Sequence, residues 1–122
     1  MAFGTTLHYQ GYTLKSKVEF AWARFLFIEG LDWEYEPVRF RDGKLSYTPD
    51  FGVNQKFFIE TKTYGDKGAN NRFHLCTKPL LLIFGTPDRH YIRFKPAATP
   101  AFLPGHMTWP RAYEKVCSYD TP

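Results

Sequence analysis

Asp50, Glu60 and Lys62 stand within a short stretch, "YTPDFGVNQKFFIETK" over residues 47–62, that is otherwise aromatic and β-prone. Alternation along an extended strand puts Phe58, Glu60 and Lys62 on one side and Phe57, Ile59 and Thr61 on the other. Both sides begin apolar, which predicts a strand interior to a sheet. Charged groups at the end of such a strand need partners, because an unpaired buried charge is costly. Asp50, on the preceding strand of the same hairpin, is the nearest candidate. Two carboxylates brought together repel unless a proton or a cation intervenes. A lysine relieves part of that repulsion and a divalent metal relieves it better. Mg²⁺ prefers oxygen ligands and takes only a few carboxylates, leaving places for water and phosphate. Two acids and a lysine are therefore a group suited to hydrolysing a phosphodiester. The competing expectation is an exposed charge pair on a hairpin.

The elements that must position these residues follow from pattern. Residues 6–14 alternate loosely around Gln10-Gly11, as a small hairpin or extended arm. Residues 15–29, "KSKVEFAWARFLFIE", hold no breaker and stop before Gly30, which predicts a helix. Apolar residues on almost every face of it predict packing on most sides, by its own sheet or by a second subunit. Within it "SKVE" reads as a capping box, Ser16 being the N-cap and Glu19 returning to its backbone N–H. Residues 32–41 alternate as a strand, Asp42-Gly43 is a hairpin turn signal, and residues 45–53 return with an edge or bend at Pro49. Residues 56–62 make the third strand. A loop and a short helix from about Asn70 lead to the continuous apolar strand "PLLLIFG", suited to burial on both faces. "RHYIRF" alternates as a last strand, and Thr108 with Pro110 starts a final helix running to about Ser118. Helix, three-strand meander, helix and two strands predict an α/β layered domain around a mixed sheet.

Composition bounds the rest. The chain has 122 residues, 43% apolar and 19% aromatic, so one globular domain is expected. The net charge of +4 permits a polyanionic partner such as DNA without demanding one. Cys76 and Cys117 show no pairing pattern, and with His74, His90 and His106 they lack the tight spacing of a zinc site. No basic stretch followed by an apolar core opens the sequence and no window could span a bilayer, so a soluble cytoplasmic protein without a membrane partner is expected. Lys67, Arg72 and Lys78 are candidates for backbone phosphates or for plain solvated charge. Tyr9, Tyr12 and Tyr64 are candidates for stacking on unpaired bases or for ordinary packing.

"TPDF" followed by "FIETK" resembles the Pro-Asp…(Asp/Glu)-x-Lys signature of the restriction-endonuclease-like nucleases. "WEYEP…YTPDF…FFIETK" is similar in phrasing to phage endonuclease I-type Holliday-junction resolvases, and "YQGYTLKSKVEFAWARF" resembles the Ser-x-x-Glu first helix of those nucleases. The likeness runs over residues 9–95, leaving a proline- and aromatic-rich segment over 96–122. It implies an α/β restriction-endonuclease-like core with a mixed central β-sheet flanked by helices. It also implies a Mg²⁺- or Mn²⁺-dependent DNA endonuclease, phage-encoded and acting in the host cytoplasm, with branched DNA as a substrate class. Asp50 and Glu60 would be metal ligands together with the carbonyl of Thr61, Lys62 would serve the attacking water, and Glu19 would complete the acidic cluster. Lys15, Ser16, Lys67 and Arg72 would face nucleic acid. A monomer and a homodimer are both compatible with this, and so is an inactive binding module on the same fold.

Overall fold

The computed structural model describes residues 7–67, 72–97, 99 and 101–119. β1 (Leu7–Tyr9) and β2 (Tyr12–Leu14) form the expected hairpin. Gln10 and Gly11 at its tip have φ of 52° and 86°, the pair of positive values that a tight hairpin turn requires. α1 (Lys17–Ile28) follows, its first turn closed by the Ser16 hydroxyl, which accepts the Glu19 N–H at 3.1 Å. Gly30, at φ 74°, takes the chain out of the helix.

The strand expected over residues 32–41 is two strands. β3 (Trp33–Tyr35) ends at Glu36, which has φ 47°, and Pro37 then offers no N–H to a ladder. The chain leaves the sheet, makes a separate hairpin of β4 (Phe40–Asp42) and β5 (Leu45–Tyr47) around the Asp42-Gly43 turn, and returns as β6 (Phe51–Val53). The return strand expected over 45–53 is thus also divided, at the bend that Pro49 marks. β6 pairs antiparallel with β3 on one side and with β7 (Phe57–Lys62) on the other. β8 (Leu80–Thr86) then runs parallel to β7, and β9 (Arg89–Lys95) runs antiparallel to β8. The resulting mixed sheet has the order β3-β6-β7-β8-β9. In place of a helix from about residue 70 there is a single 3-10 turn, Phe73–Leu75, while Asn70 itself lies outside the described residues. Cys76 is already extended there, and Pro79 disfavours helical backbone just before it. α2 (Trp109–Ser118) starts where expected, with Pro110 in its first turn.

Strand alternation sorts the core into two faces. On one, Phe51, Ile59, Leu81, Ile83, Ile92 and Phe94 pack under α1 and α2. Trp22 of α1 is fully buried there and donates its indole N–H to the Gly85 carbonyl at 2.8 Å, which pins the helix to the end of β8. The other face, Phe58, Leu80, Leu82 and Phe84, lies under the β4–β5 hairpin and the 3-10 turn through Tyr47 and Phe73. The domain is therefore layered α/β, with both helices on one face of the sheet. α1 buries Glu19, Trp22, Ala23 and Leu26. It is not enclosed all round: the Tyr9 ring covers Phe20 and Phe27 from the first hairpin, yet Phe27 and Ile28 remain 50% and 65% exposed. Tyr9 and Tyr12 are absorbed in this packing, against Trp33 in both cases. No helix among the described residues is long and apolar enough to cross a membrane.

Candidate active site at the end of the central strands

The acids come together where the β6 ladder stops. Phe51 is opposite Ile59, so continuing the register sets Asp50 opposite Glu60. The same extension on the other side sets Glu36 opposite Asp50, and the Glu36 N–H donates to the Asp50 carbonyl at 2.8 Å. The β6–β7 ladder ends at the Phe51–Ile59 pair, so Thr61 has no strand partner on this side. Asp50 supplies the substitute: its Oδ2 accepts the Thr61 N–H at 2.7 Å and the Thr61 hydroxyl at 2.8 Å. One carboxylate oxygen thus stands in for a missing ladder carbonyl, and Oδ1 takes neither bond.

Glu60 points to the face covered by the β4–β5 hairpin. It is 8% exposed, its Oε1 accepts the Tyr47 hydroxyl at 2.8 Å, and its Oε2 lies 3.6 Å from the Lys62 ammonium. Glu19 approaches from the helix side, equally buried, and its Oε1 accepts both the Tyr35 hydroxyl at 2.7 Å and a backbone N–H at 2.9 Å. That N–H belongs to Lys15. The expected capping box is corrected accordingly: Ser16 caps Glu19, but Glu19 reaches one residue further back than the Ser16 N–H. The ammonium of Lys15 pairs with Glu36 at 2.9 Å in an exposed position, and that bond together with the Glu36 charge raises its pKa.

Burial governs the electrostatics. Loss of water, then the charges of Glu60 and Glu19, push the Asp50 carboxyl well above the usual carboxylate range, against the two Thr61 bonds. Glu60 is raised by burial and by Glu19, while the Tyr47 hydroxyl and Lys62 pull it down. Burial first, and then the partner carboxylates, push the hydroxyls of Tyr35 and Tyr47 upward, so both remain donors.

The structure thus brings Glu19, Asp50, Glu60, Thr61 and Lys62 into one neighbourhood, with Lys15 and Ser16 at its rim. Lys67 is exposed after β7, and Arg72 is exposed at the head of the 3-10 turn, outside this set. Sequence reasoning missed Tyr35, Glu36 and Tyr47. A register count from Asp50 would have found Glu36, but the two tyrosines depend on packing between elements. Cys76 is buried, donates to the Lys78 carbonyl at 3.3 Å, and has its thiol pushed up to about 11 by burial.

Among the described residues, no three His, Cys, Asp or Glu side chains gather so as to enclose an ion by themselves. Mg²⁺ asks for less, since one or two carboxylates with waters and substrate phosphates suffice. The donor set fits that demand: the half-buried Asp50 and the buried Glu60 repel each other at the end of the β6–β7 ladder, with Asp50 Oδ1 outside the Thr61 bonds. No family model, curated protein or solved structure matches the chain.

Proposed function

We propose that this chain is a metal-dependent deoxyribonuclease with a restriction-endonuclease-like core, hydrolysing phosphodiester bonds of DNA. The observation that carries the reading is the pair Asp50, half-buried just before β6, and Glu60, buried on β7, both raised in pKa and accompanied by Lys62. The order of elements supports it too: a first helix, antiparallel β3, β6 and β7, then a parallel β8.

Asp50 and Glu60 would hold Mg²⁺ or Mn²⁺ with the Thr61 carbonyl, and Glu19 would add negative charge behind them. Such an ion supplies Lewis acidity toward a phosphate oxygen and makes water a better nucleophile. The protein's own work is positioning. Thr61 fixes Asp50 by two bonds, one from its strand N–H and one from its hydroxyl, and Tyr47 holds Oε1 of Glu60, leaving Oε2 to face Lys62. Lys62 would orient the attacking water and offset charge that builds on the phosphoryl oxygens. Tyr35 and the Lys15 N–H hold Glu19 toward the cluster at the cost of one of its oxygens.

The test is a cleavage panel of labelled linear, single-stranded, flap and four-way DNAs with Mg²⁺ or Mn²⁺. Asp50→Asn and Glu60→Gln are each expected to lower the rate about a hundredfold or more. Asp50→Asn should melt no lower than the parent without metal, because a carboxyl raised by folding destabilises the fold once ionised and the amide removes that charge. Either variant cleaving within about tenfold of the parent under saturating metal would refute the assignment.

A further inference from the structure

We propose that the sheet face beside Lys62 is a stacking platform for unpaired DNA bases, making single-stranded DNA the substrate class of this site. The cleavage half of this inference rests on the nuclease reading; the binding half does not.

Register lays out the surface. Lys62 is opposite Phe84 and Phe84 is opposite Tyr91, so the three side chains form one row across β7, β8 and β9 on the same face, with Phe84 buried as the floor beneath the rings that surround it. The rings of Phe84 and Tyr91 stack at 4.7 Å with planes 13° apart. Tyr64, two residues past Lys62, sets its edge to Tyr91 at 5.4 Å, and the exposed His106 ring lies 5.2 Å from Tyr91. Tyr64 is 49% exposed. The bare Gly85 leaves room for it, since a Cβ there would come within 3.0 Å of its ring.

Cations accompany the rings. The Arg89 guanidinium sits 4.4 Å over Tyr64, and in the next row Arg93 sits 5.2 Å over Phe102. Both arginines are exposed, and neither is ion-paired with a described residue. Lys62 already faces Glu60 at 3.6 Å, so the cations this face keeps for a phosphate backbone are Arg89 and Arg93. The exposed Tyr64 and His106 rings, with the half-buried Tyr91 and Phe102 beside them, offer ring surface for bases, and the guanidinium groups offer charge for phosphates. A duplex keeps its base faces stacked internally and can use only the charge. Flexible single strands can use both, and the row leads directly to Lys62.

The experiment is fluorescence anisotropy in EDTA, where hydrolysis does not intervene, with a labelled oligo-dT of roughly 20 nucleotides and a duplex of equal length. The parent should prefer the single strand. Tyr64→Ala should weaken single-strand binding about tenfold or more and shrink that preference, and Tyr64→Phe should restore it. If Tyr64→Ala fails to fold by circular dichroism, Arg89→Ala takes its place, with weaker binding and a salt slope reduced by about one. Equal single-strand affinity in parent and Tyr64→Ala, or no preference for the single strand, overturns the platform. Cleavage of DNA with Tyr64→Ala indistinguishable from the parent on every substrate overturns it and leaves the nuclease reading standing. Tyr64-dependent binding by a parent that cleaves nothing keeps the platform and removes the nuclease.

Discussion

Replacing Tyr47 with Phe removes one oxygen atom and tests the electrostatics of the site without touching an acid. The hydroxyl donates to Glu60 Oε1 at 2.8 Å, and both groups are buried. A hydrogen bond to a charged acceptor contributes about 1.5 to 3 kcal/mol, and its loss leaves Glu60 with Lys62 alone as a stabilising partner. With an unfolding entropy of about 2.1 cal/mol/K per residue over 122 residues, a loss of about 2 kcal/mol lowers Tm by roughly 8 °C. The pH dependence gives the sharper check. Burial already raises the Glu60 carboxyl and Tyr47 restrains it, so the variant carboxyl sits higher still. The deficit is present in full where Glu60 is ionised and shrinks as pH falls through its raised pKa, since a neutral carboxyl needs the donor less. Thermal melts in EDTA at about pH 8 and about pH 4 should show the larger gap at the higher pH. A gap under about 2 °C at the higher pH, or equal gaps at both, would refute the account of Glu60 as a carboxylate held by Tyr47.

Lys62→Met keeps the aliphatic length and removes the ammonium; turnover should fall about a hundredfold, with single-strand affinity in EDTA changed less than about threefold, as single-turnover rates and anisotropy would show. Gly85→Ala places a Cβ at φ 100° and 2.2 Å from the Arg89 carbonyl oxygen, so a loss of about 3 kcal/mol is expected, read as a Tm lower by roughly 12 °C. Little change in that melt would mean that the β8–β9 turn yields more readily than its geometry implies.

Elements written in one local pattern were legible. The apolar run of β8 announces burial on both faces, the Gln10-Gly11 and Asp42-Gly43 turns announce hairpins, and Thr108 with Pro110 announces α2. What escaped lies between elements. Alternation continues across Glu36 and Pro37, yet the backbone reverses there, and only pairing partners tell which strands share a sheet. The acids of the candidate site were visible because their type and spacing are local. Their hydrogen-bond partners were not, since Tyr47 reaches Glu60 across two layers and Tyr35 reaches Glu19 from sheet to helix. The one-residue offset that sends Glu19 to Lys15 is equally invisible to a motif.

The β4–β5 hairpin shares no ladder with the five-stranded sheet and rests on it through side chains such as Phe40 and Tyr47. Short two-stranded units of this kind open sub-globally before the sheet beneath them does. Opening would carry the Tyr47 hydroxyl away from Glu60 and admit water to a buried carboxylate. Burial raises the Glu60 carboxyl more than the Tyr47 bond lowers it, so charge on Glu60 favours the open hairpin and a neutral carboxyl the closed one, and the two equilibria must shift each other by the same factor. Amide opening in Phe40–Tyr47 is then a gauge of the carboxylate: whatever neutralises its charge should increase protection at a hairpin on the next layer.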